Sequence, residues 1–368
     1  MPTFQFMKLP LIAQKRVLTL SELRDLVFLS FCSTKLLKIL KYSNPTKEKV
    51  LPSIYCYSDT FYMTLTGPGW GEMIWDFEPL VAKNGEKYQE QGEKRDGEVF
   101  IDGVLTVGGF KMDYFVSSLE SDFVSAYGPI TLELMRAVEN YLFDIFPATQ
   151  YQQILVDVSS TGDVRQFFDK LLKKKTNQLG FQESPIETSD LEYTLDVMDC
   201  RNIISIGNGV SGDVNSQKIM ELDMLQMFKS KWMNREHLLN WDFEFADVSN
   251  VVFGTTDIVD FVNQWLNGNN TKKRVLFCSL DESCEPWDCR LLRNEFPTLP
   301  FDKDRRGATY DLLDGVNIEE CKEWRVYCCK DHWDIERRDG LLASVFFGPR
   351  AFRFLVWHQR FFPNIPND

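Results

Sequence analysis

LPLIAQKRVLTLSELRDLVFLSFCSTK, Leu9 to Lys35, is the stretch on which the reading of the whole chain turns. Pro10 suits the first turn of a helix, where an N–H would have no partner. Leu11, Ile12, Ala13, Val17 and Leu18 follow as a short apolar run. Ser21 stands just before Glu22 and a stripe of Leu23, Leu26 and Val27 at helical spacing. Two or three short helices are expected here. So little chain cannot bury all of its leucines by itself. Some of this apolar surface must meet either the remainder of the protein or another molecule.

The 368 residues suggest two or three domains, and a hydrophobic fraction of 44% supplies real cores. A net charge of −13 argues against a phosphate-backbone binder, so no nucleic-acid partner is expected. The apolar runs are far shorter than a membrane span, and no membrane partner is expected. Lys8, Lys15 and Arg16 interrupt the amino-terminal apolar residues, unlike a secretory signal. Nine cysteines are an odd number without a framework, and Cys328 and Cys329 are adjacent. Together these features point to an intracellular, reducing setting, cytoplasm or nucleus, with free thiols.

Beyond the helices, the polar run Lys41 to Lys49 reads as a connector. From Val50 to about Phe115, aromatic and β-branched residues alternate with polar ones. Turns are expected at Gly67-Pro68-Gly69, Asp96-Gly97 and Asp102-Gly103, with an exposed charged loop from Lys83 to Gly97. Leu132, Met135, Val138 and Leu142 then mark a helix. A faint repeat follows. Tyr151 to Val158 is a strand candidate, and Asp163 caps a helix carrying Val164, Phe167, Phe168, Leu171 and Leu172. Trp241 to Phe253 is a second strand candidate, before a helix that Asp257 opens and that carries Ile258, Phe261, Val262, Trp265 and Leu266. A weaker copy has strand-like Ile203 to Ile206, then Met224, Met227, Phe228 and Trp232 on one helical face. Strand, loop and helix in succession suit either a leucine-rich-repeat-like stack or an α/β sheet. Trp333 to Trp357 reads as a three-stranded meander.

Leu9-Pro10 at the opening, Val17-Leu18, Glu22-Leu23 and Ser30-Phe31-Cys32-Ser33-Thr34-Lys35 at the close together resemble an F-box. The variant most similar is that of the large nematode F-box families, with an LP opening and an S-x-C-S-x-K close. Gln14, usually apolar there, and Thr19 to Ser21, usually an acidic turn, depart from it. Asp334-Ile335-Glu336-Arg337-Arg338-Asp339-Gly340 resembles the D-I-x-R-x-D-G turn of the F-box-associated (type 2) region of those families. Trp265-Leu266-Asn267-Gly268 resembles that region's W-x-N-G helix end. The resemblance implies docking on a Skp-type adaptor of a cullin-RING ubiquitin ligase, through Leu9, Pro10, Ile12, Val17, Leu18, Leu23 and Leu26. It implies capture of a protein substrate, whose identity is unknown, by the rest of the chain.

The expected fold class is α+β. A three-helix F-box-like module over residues 1–45 precedes a turn-rich β segment plus helix over 46–150. A substrate-recruiting region over 151–368 combines an α/β leucine-rich-repeat-like part with a closing antiparallel meander. The principal rival is a nucleotide-binding enzyme. Gly207-Asn208-Gly209-Val210-Ser211-Gly212 is a literal G-x-G-x-x-G after a strand, with Asp242 as a ribose-binding candidate. Against it, Asp213 would repel a pyrophosphate. A ligase-independent interaction scaffold is the second rival. His237, His332 and His358 sit in no strong metal motif, and neither Cys321/Cys328/His332 nor Cys284/Cys289 has paired C-x2-C spacing. Asp281-Glu282 and Glu319-Glu320 read as solvated surface. No catalytic residue, cofactor or metal is expected.

Overall fold

The computed structural model describes residues 6–43, 50–57, 60–67, 70–79, 100–117, 123–128, 131–159, 162–212, 217–312 and 326–357. The expected turns at Gly67-Pro68-Gly69 and Asp96-Gly97, most of the Lys41–Lys49 connector and the loop from Lys83 to Gly97 lie outside these. The protein is α+β and divides into two compact units. The first is Met1–Gly180 with Tyr193–Cys200; the second is Phe181–Glu192 with Arg201–Asp368. The expected boundaries near residues 45 and 150 therefore both fall inside the first unit.

The first unit opens with three helices, α1 (Leu11–Leu20), α2 (Leu23–Cys32) and α3 (Thr34–Ser43). Strands β1 (Leu51–Cys56), β2 (Phe61–Gly67), β3 (Trp70–Pro79), β4 (Phe100–Val107), β5 (Phe110–Ser117) and β6 (Phe123–Gly128) follow. Then come α4 (Leu132–Ile145), β7 (Tyr151–Asp157), α5 (Val164–Lys170) and β8 (Thr176–Gln182). The strand order is β8-β7-β1-β2-β3-β6-β5-β4. β1 is antiparallel to β2 and parallel to β7, so Ile54 stands between Met63 and Ile154. Asp163 caps α5 by accepting from the Gln166 N–H at 3.0 Å, as its position in the sequence suggests.

The hairpin expected at Asp102-Gly103 is displaced. β4 runs straight through those residues, and the chain reverses at Gly108-Gly109, between paired Val107 and Phe110. Both glycines have positive φ, 57° and 91°, as a two-residue hairpin turn with the right twist demands. A Cβ on Gly108 would lie 2.5 Å from that of Ala137, so α4 packs directly on the turn.

The second unit holds β9 (Ile186–Glu187), α6 (Thr188–Val197, whose later residues belong to the first unit), β10 (Asn202–Ile206), β11 (Val210–Ser211), α7 (Gln217–Met220), β12 (Met224–Met227), α8 (Arg235–Asn240), β13 (Phe245–Val251), α9 (Thr255–Asn267), β14 (Val275–Leu280) and α10 (Cys289–Glu295). β15 (Thr309–Asp311), β16 (Val326–Cys328), β17 (Trp333–Glu336), β18 (Leu342–Phe347) and β19 (Ala351–Trp357) complete it. β10, β12, β13 and β14 are parallel neighbours in sequence order, with α7, α8 and α9 in the connections. One backbone pattern recurs where these strands begin. Met224 N–H donates to Arg201 O, Phe245 N–H to Asp223 O, and Val275 N–H to Glu244 O. β14 then pairs antiparallel with β19, which carries β18 and β17 as the expected meander.

Met224 to Met227 is a strand, not the expected helix. Leu225 and Met227 point to one side and Met224 and Gln226 to the other, a period of two. Met224, Leu225 and Met227 are all buried, so both faces of the strand are covered.

Candidate interaction surfaces

The amino-terminal helices have two apolar sides. On the inner side Leu18, Leu23, Leu26 and Val27 are buried. Phe31 stacks on Tyr141 of α4, with centroids 5.7 Å apart, and meets Trp75 of β3 at 5.3 Å. The Ser30 hydroxyl lies 2.5 Å from that of Tyr141. Lys41 pairs with Asp144. Gln14, the polar departure in the first helix, is buried and satisfied, its side-chain amide donating to Leu9 O at 2.9 Å. The helices are thus fastened to the strand-rich body of their own unit.

The seven expected docking residues divide accordingly. Pro10 and Ile12 are exposed, Ile12 at 84%; Leu9 and Val17 are half-buried. Leu18, Leu23 and Leu26 lie in the core, so in this arrangement they support the surface and do not form it. Two residues outside the expected set do form it, Leu20 at 69% exposure and Tyr42 at 71%; Leu11, at 48%, is exposed at the start of α1 on the bearing of Leu18. Helical phase could have found Leu20, which lies two turns from Ile12 on the same side.

The second surface is the face of the second unit's sheet away from α9. Strand register aligns Gln226, Asp247, Phe277 and Arg353 in one row across β12, β13, β14 and β19. All four are half-buried. Gln226 donates weakly to Asp247 at 3.4 Å, and burial raises the Asp247 carboxyl above its ordinary range. The Arg353 guanidinium sits over the rings of Tyr327 at 5.1 Å, Phe277 at 5.6 Å and Phe346 at 5.8 Å, and donates to the Tyr327 hydroxyl. The row below, containing Val275 and Leu355, is sealed by Tyr310, Leu312 and Cys329.

The two carboxy-terminal motifs meet in space. Arg337 grips Asp339 with two bonds, 3.0 and 2.7 Å, donates to Asn270 O at 2.6 Å, and lies over the Trp265 ring at 5.2 Å. These bonds hold the Asp339 carboxyl down at about 2. Asp334 binds Arg306 instead, at 2.7 Å, both side chains being wholly buried. The motif residues clamp the meander to the end of α9.

The glycine loop is engaged with its own surroundings. Gly207 N–H donates to Phe181 O at 2.9 Å, and Gly209 O accepts from Ile186 N–H at 3.2 Å. β11 pairs with β9, and Lys229 reaches Asn208 at 2.9 Å. Gly209 has φ 80°, and a Cβ there would lie 2.8 Å from the Lys229 carbonyl oxygen. Its glycine is explained by backbone approach within the unit. Asp213 lies outside the described residues, and Asp242 bonds Asn270 at 2.5 Å.

His237 caps α8, and Cys284 and Cys289 are half-buried free thiols. His332 is buried with neither ring nitrogen hydrogen-bonded, and burial lowers it to about 4. Burial pushes the Cys329 thiol up to about 12. His358, Cys321 and Glu319-Glu320 lie outside the described residues. Among the described residues no group of three His, Cys, Asp or Glu side chains could hold a metal, and no helix is long and apolar enough to cross a membrane.

Two Caenorhabditis elegans proteins are similar along nearly the whole chain. "Uncharacterized protein F59B2.8" is 21% identical, covering 97% of this chain and 78% of its own length. "Uncharacterized protein F59B2.9" is 21% identical, covering 98% and 80%. No family model matches the chain, and no solved structure matches it.

Proposed function

We propose that this protein is a substrate-recruiting adaptor of a Skp-cullin-F-box type ubiquitin ligase, acting inside the cell, in cytoplasm or nucleus. The observation that carries the reading is the outer side of α1, where Ile12 and Leu20 stand in solvent while Leu18, on another bearing of the same helix, is sealed. An apolar ridge on a helix that is already anchored suits insertion into a groove of a Skp-type partner. The ordered LP, EL and S-x-C-S-x-K residues favour the same reading. We read the parallel strands of the second unit as a leucine-rich-repeat-like stack, because their spatial order follows the sequence with a helix in each connection. Its row from Gln226 to Arg353 is the surface offered to a protein substrate. Such a chain works by raising the effective concentration of substrate near the ubiquitin donor and needs no catalytic residue, cofactor or metal of its own.

The test is capture of a purified Skp-type adaptor by the full chain. The unaltered protein is expected to retain it, and Ile12→Asp with Leu20→Asp to lose it, since a few central apolar residues dominate such interfaces. Equal capture by both proteins, or none by the unaltered chain, would leave the proposal without support. The nucleotide-binding rival has a loop whose backbone is already engaged at Gly207, Gly209 and β11. The scaffold rival predicts no adaptor capture and is decided by the same experiment.

A further inference from the structure

The outer surface of the amino-terminal helices is basic as well as apolar, against the sign of the whole protein. Residues 1–43 carry seven basic side chains, Lys8, Lys15, Arg16, Arg24, Lys35, Lys38 and Lys41, and two acidic ones, Glu22 and Asp25. That is +5 within a chain of net −13. On α1, Ile12, Arg16 and Leu20 follow one another at four-residue spacing and share one side of the helix. Lys15 lies over the exposed Tyr42 ring of α3 at 4.6 Å, which joins the two helices into one surface. Lys35, Lys38 and Tyr42 are all exposed and fall at three- and four-residue spacing on α3. Lys41 is engaged with Asp144, whereas Arg16, Lys35 and Lys38 form no ion pair among the described residues.

From this surface we infer that the partner of the amino-terminal helices presents an apolar groove with an acidic rim, and that Arg16, Lys35 and Lys38 steer its approach. The inference rests on the adaptor reading and specifies the chemistry of that same site. The chain as a whole repels acidic partners, so an acidic partner must be drawn to a local patch of opposite sign. Cations set around an apolar ridge raise the association rate and fix orientation, while the ridge supplies the lifetime of the complex. An anionic membrane would also attract the cations. The observations favour a protein groove, because the apolar ridge is narrow and sits on a helix fastened to a folded body, not on a helix free to lie in an interface.

The experiment measures association and dissociation rates of the full chain with a purified Skp-type adaptor across ionic strengths. Exposed charges are screened within about 8 Å at physiological salt, so the association rate of the unaltered protein should fall steeply as salt rises. R16E with K38E should lower association about tenfold at low salt, flatten its salt dependence, and change dissociation less than about twofold. R16Q with K38Q, which introduces no acid into either helix, should fall between. Stable capture whose rate ignores salt and both substitutions would overturn this inference and leave the adaptor reading standing. Failure of the unaltered chain to capture the adaptor at all would remove both. Sedimentation with phosphatidylserine vesicles that depends on Arg16 and Lys38, with an adaptor rate that does not, would overturn the inference in favour of a membrane.

Discussion

Replacing Asp334 with Asn should destabilise the second unit by about 3–5 kcal/mol, the usual penalty for breaking a buried ion pair on one side. Asp334 and Arg306 have no exposed side-chain surface, and Arg306 Nε donates to Asp334 Oδ1 at 2.7 Å. The guanidinium keeps other partners after the change: Cys329 O and Gly307 O at 2.9 Å each, and the rings of Phe301 and Trp357. None of these is an anion, so a full positive charge would be left in the core. Ser344 would lose its charged acceptor too, at 3.0 Å, and with it the chain of bonds that holds Trp357 Nε1 at 2.8 Å. Urea unfolding followed by tryptophan fluorescence reads the loss, because Trp357 lies on Arg306. With a slope of about 1–3 kcal/mol per molar urea, the midpoint of that transition should drop by more than about 1 M. Replacing both partners, Arg306→Met with Asp334→Leu, should recover most of the loss and leave a deficit of about 1 kcal/mol for the unpaired Ser344 hydroxyl. A single substitution that costs under about 1 kcal/mol would refute the reasoning, as would a double substitution worse than the single.

Glu139 is buried on α4, accepts from the Tyr151 hydroxyl, and burial pushes its carboxyl from the ordinary 4.5 up to about 7. Between those values the folded protein holds a proton that the unfolded chain has released. Stability should therefore fall by about 3 kcal/mol as pH rises from 4.5 to 7, and Glu139→Gln should abolish that slope in denaturant titrations. His332 has the opposite sign: lowered by burial from 6.5 to about 4, it stays neutral while the unfolded chain gains a proton. Stability should fall by about 3 kcal/mol as pH drops through that window, and His332→Phe should remove this acid sensitivity. Gly209→Ala should cost about 2 kcal/mol in melting experiments, from a positive φ and the close Lys229 carbonyl. Ile12→Ser should change the stability of the isolated protein by under about 0.5 kcal/mol, and Leu18→Ala by about 2–5 kcal/mol; similar costs at both positions would mean that Ile12 is not on the surface.

Where one physical signal dominated, the sequence was sufficient. The Asp163 cap, the stripe of α9 and the turn at Gly340 each depend on neighbours a few residues away, and each is found where those neighbours put it. Met224 to Phe228 misled because methionines three apart satisfy a helix and a strand equally, and only burial on both faces separates them. Asp102-Gly103 misled because a turn dipeptide competes with strand pairing. Gly108-Gly109 won that competition, with two positive φ angles and α4 packed against them. The sheet face around Asp247 and Arg353 was not legible at all. Its members come from four strands, and only strand register, parallel from β12 to β14 and antiparallel from β14 to β19, brings them into one row.

The division of the seven expected docking residues carries a lesson about amphipathic helices. Successive residues on a helix turn by about 100°, so Arg16 lies about 40° from Ile12 and Leu20 about 80°, while Leu18 lies about 120° away in the other direction. A ten-residue helix with leucines at both bearings has no wholly polar side. One bearing is filled by the protein itself, through the buried Leu18. The other, left in water, withholds about 1.5–3 kcal/mol of burial for each large side chain. Folding alone gives no reason for isoleucine at a position 84% exposed, with a second exposed apolar residue, Leu20, two turns on. On the proposed reading a partner gives one, and the cations beside those residues, which form no ion pair among the described residues, give that partner a sign. The inner leucines decide whether the ridge exists; on the proposed reading Ile12, Leu20 and Arg16 decide what binds to it.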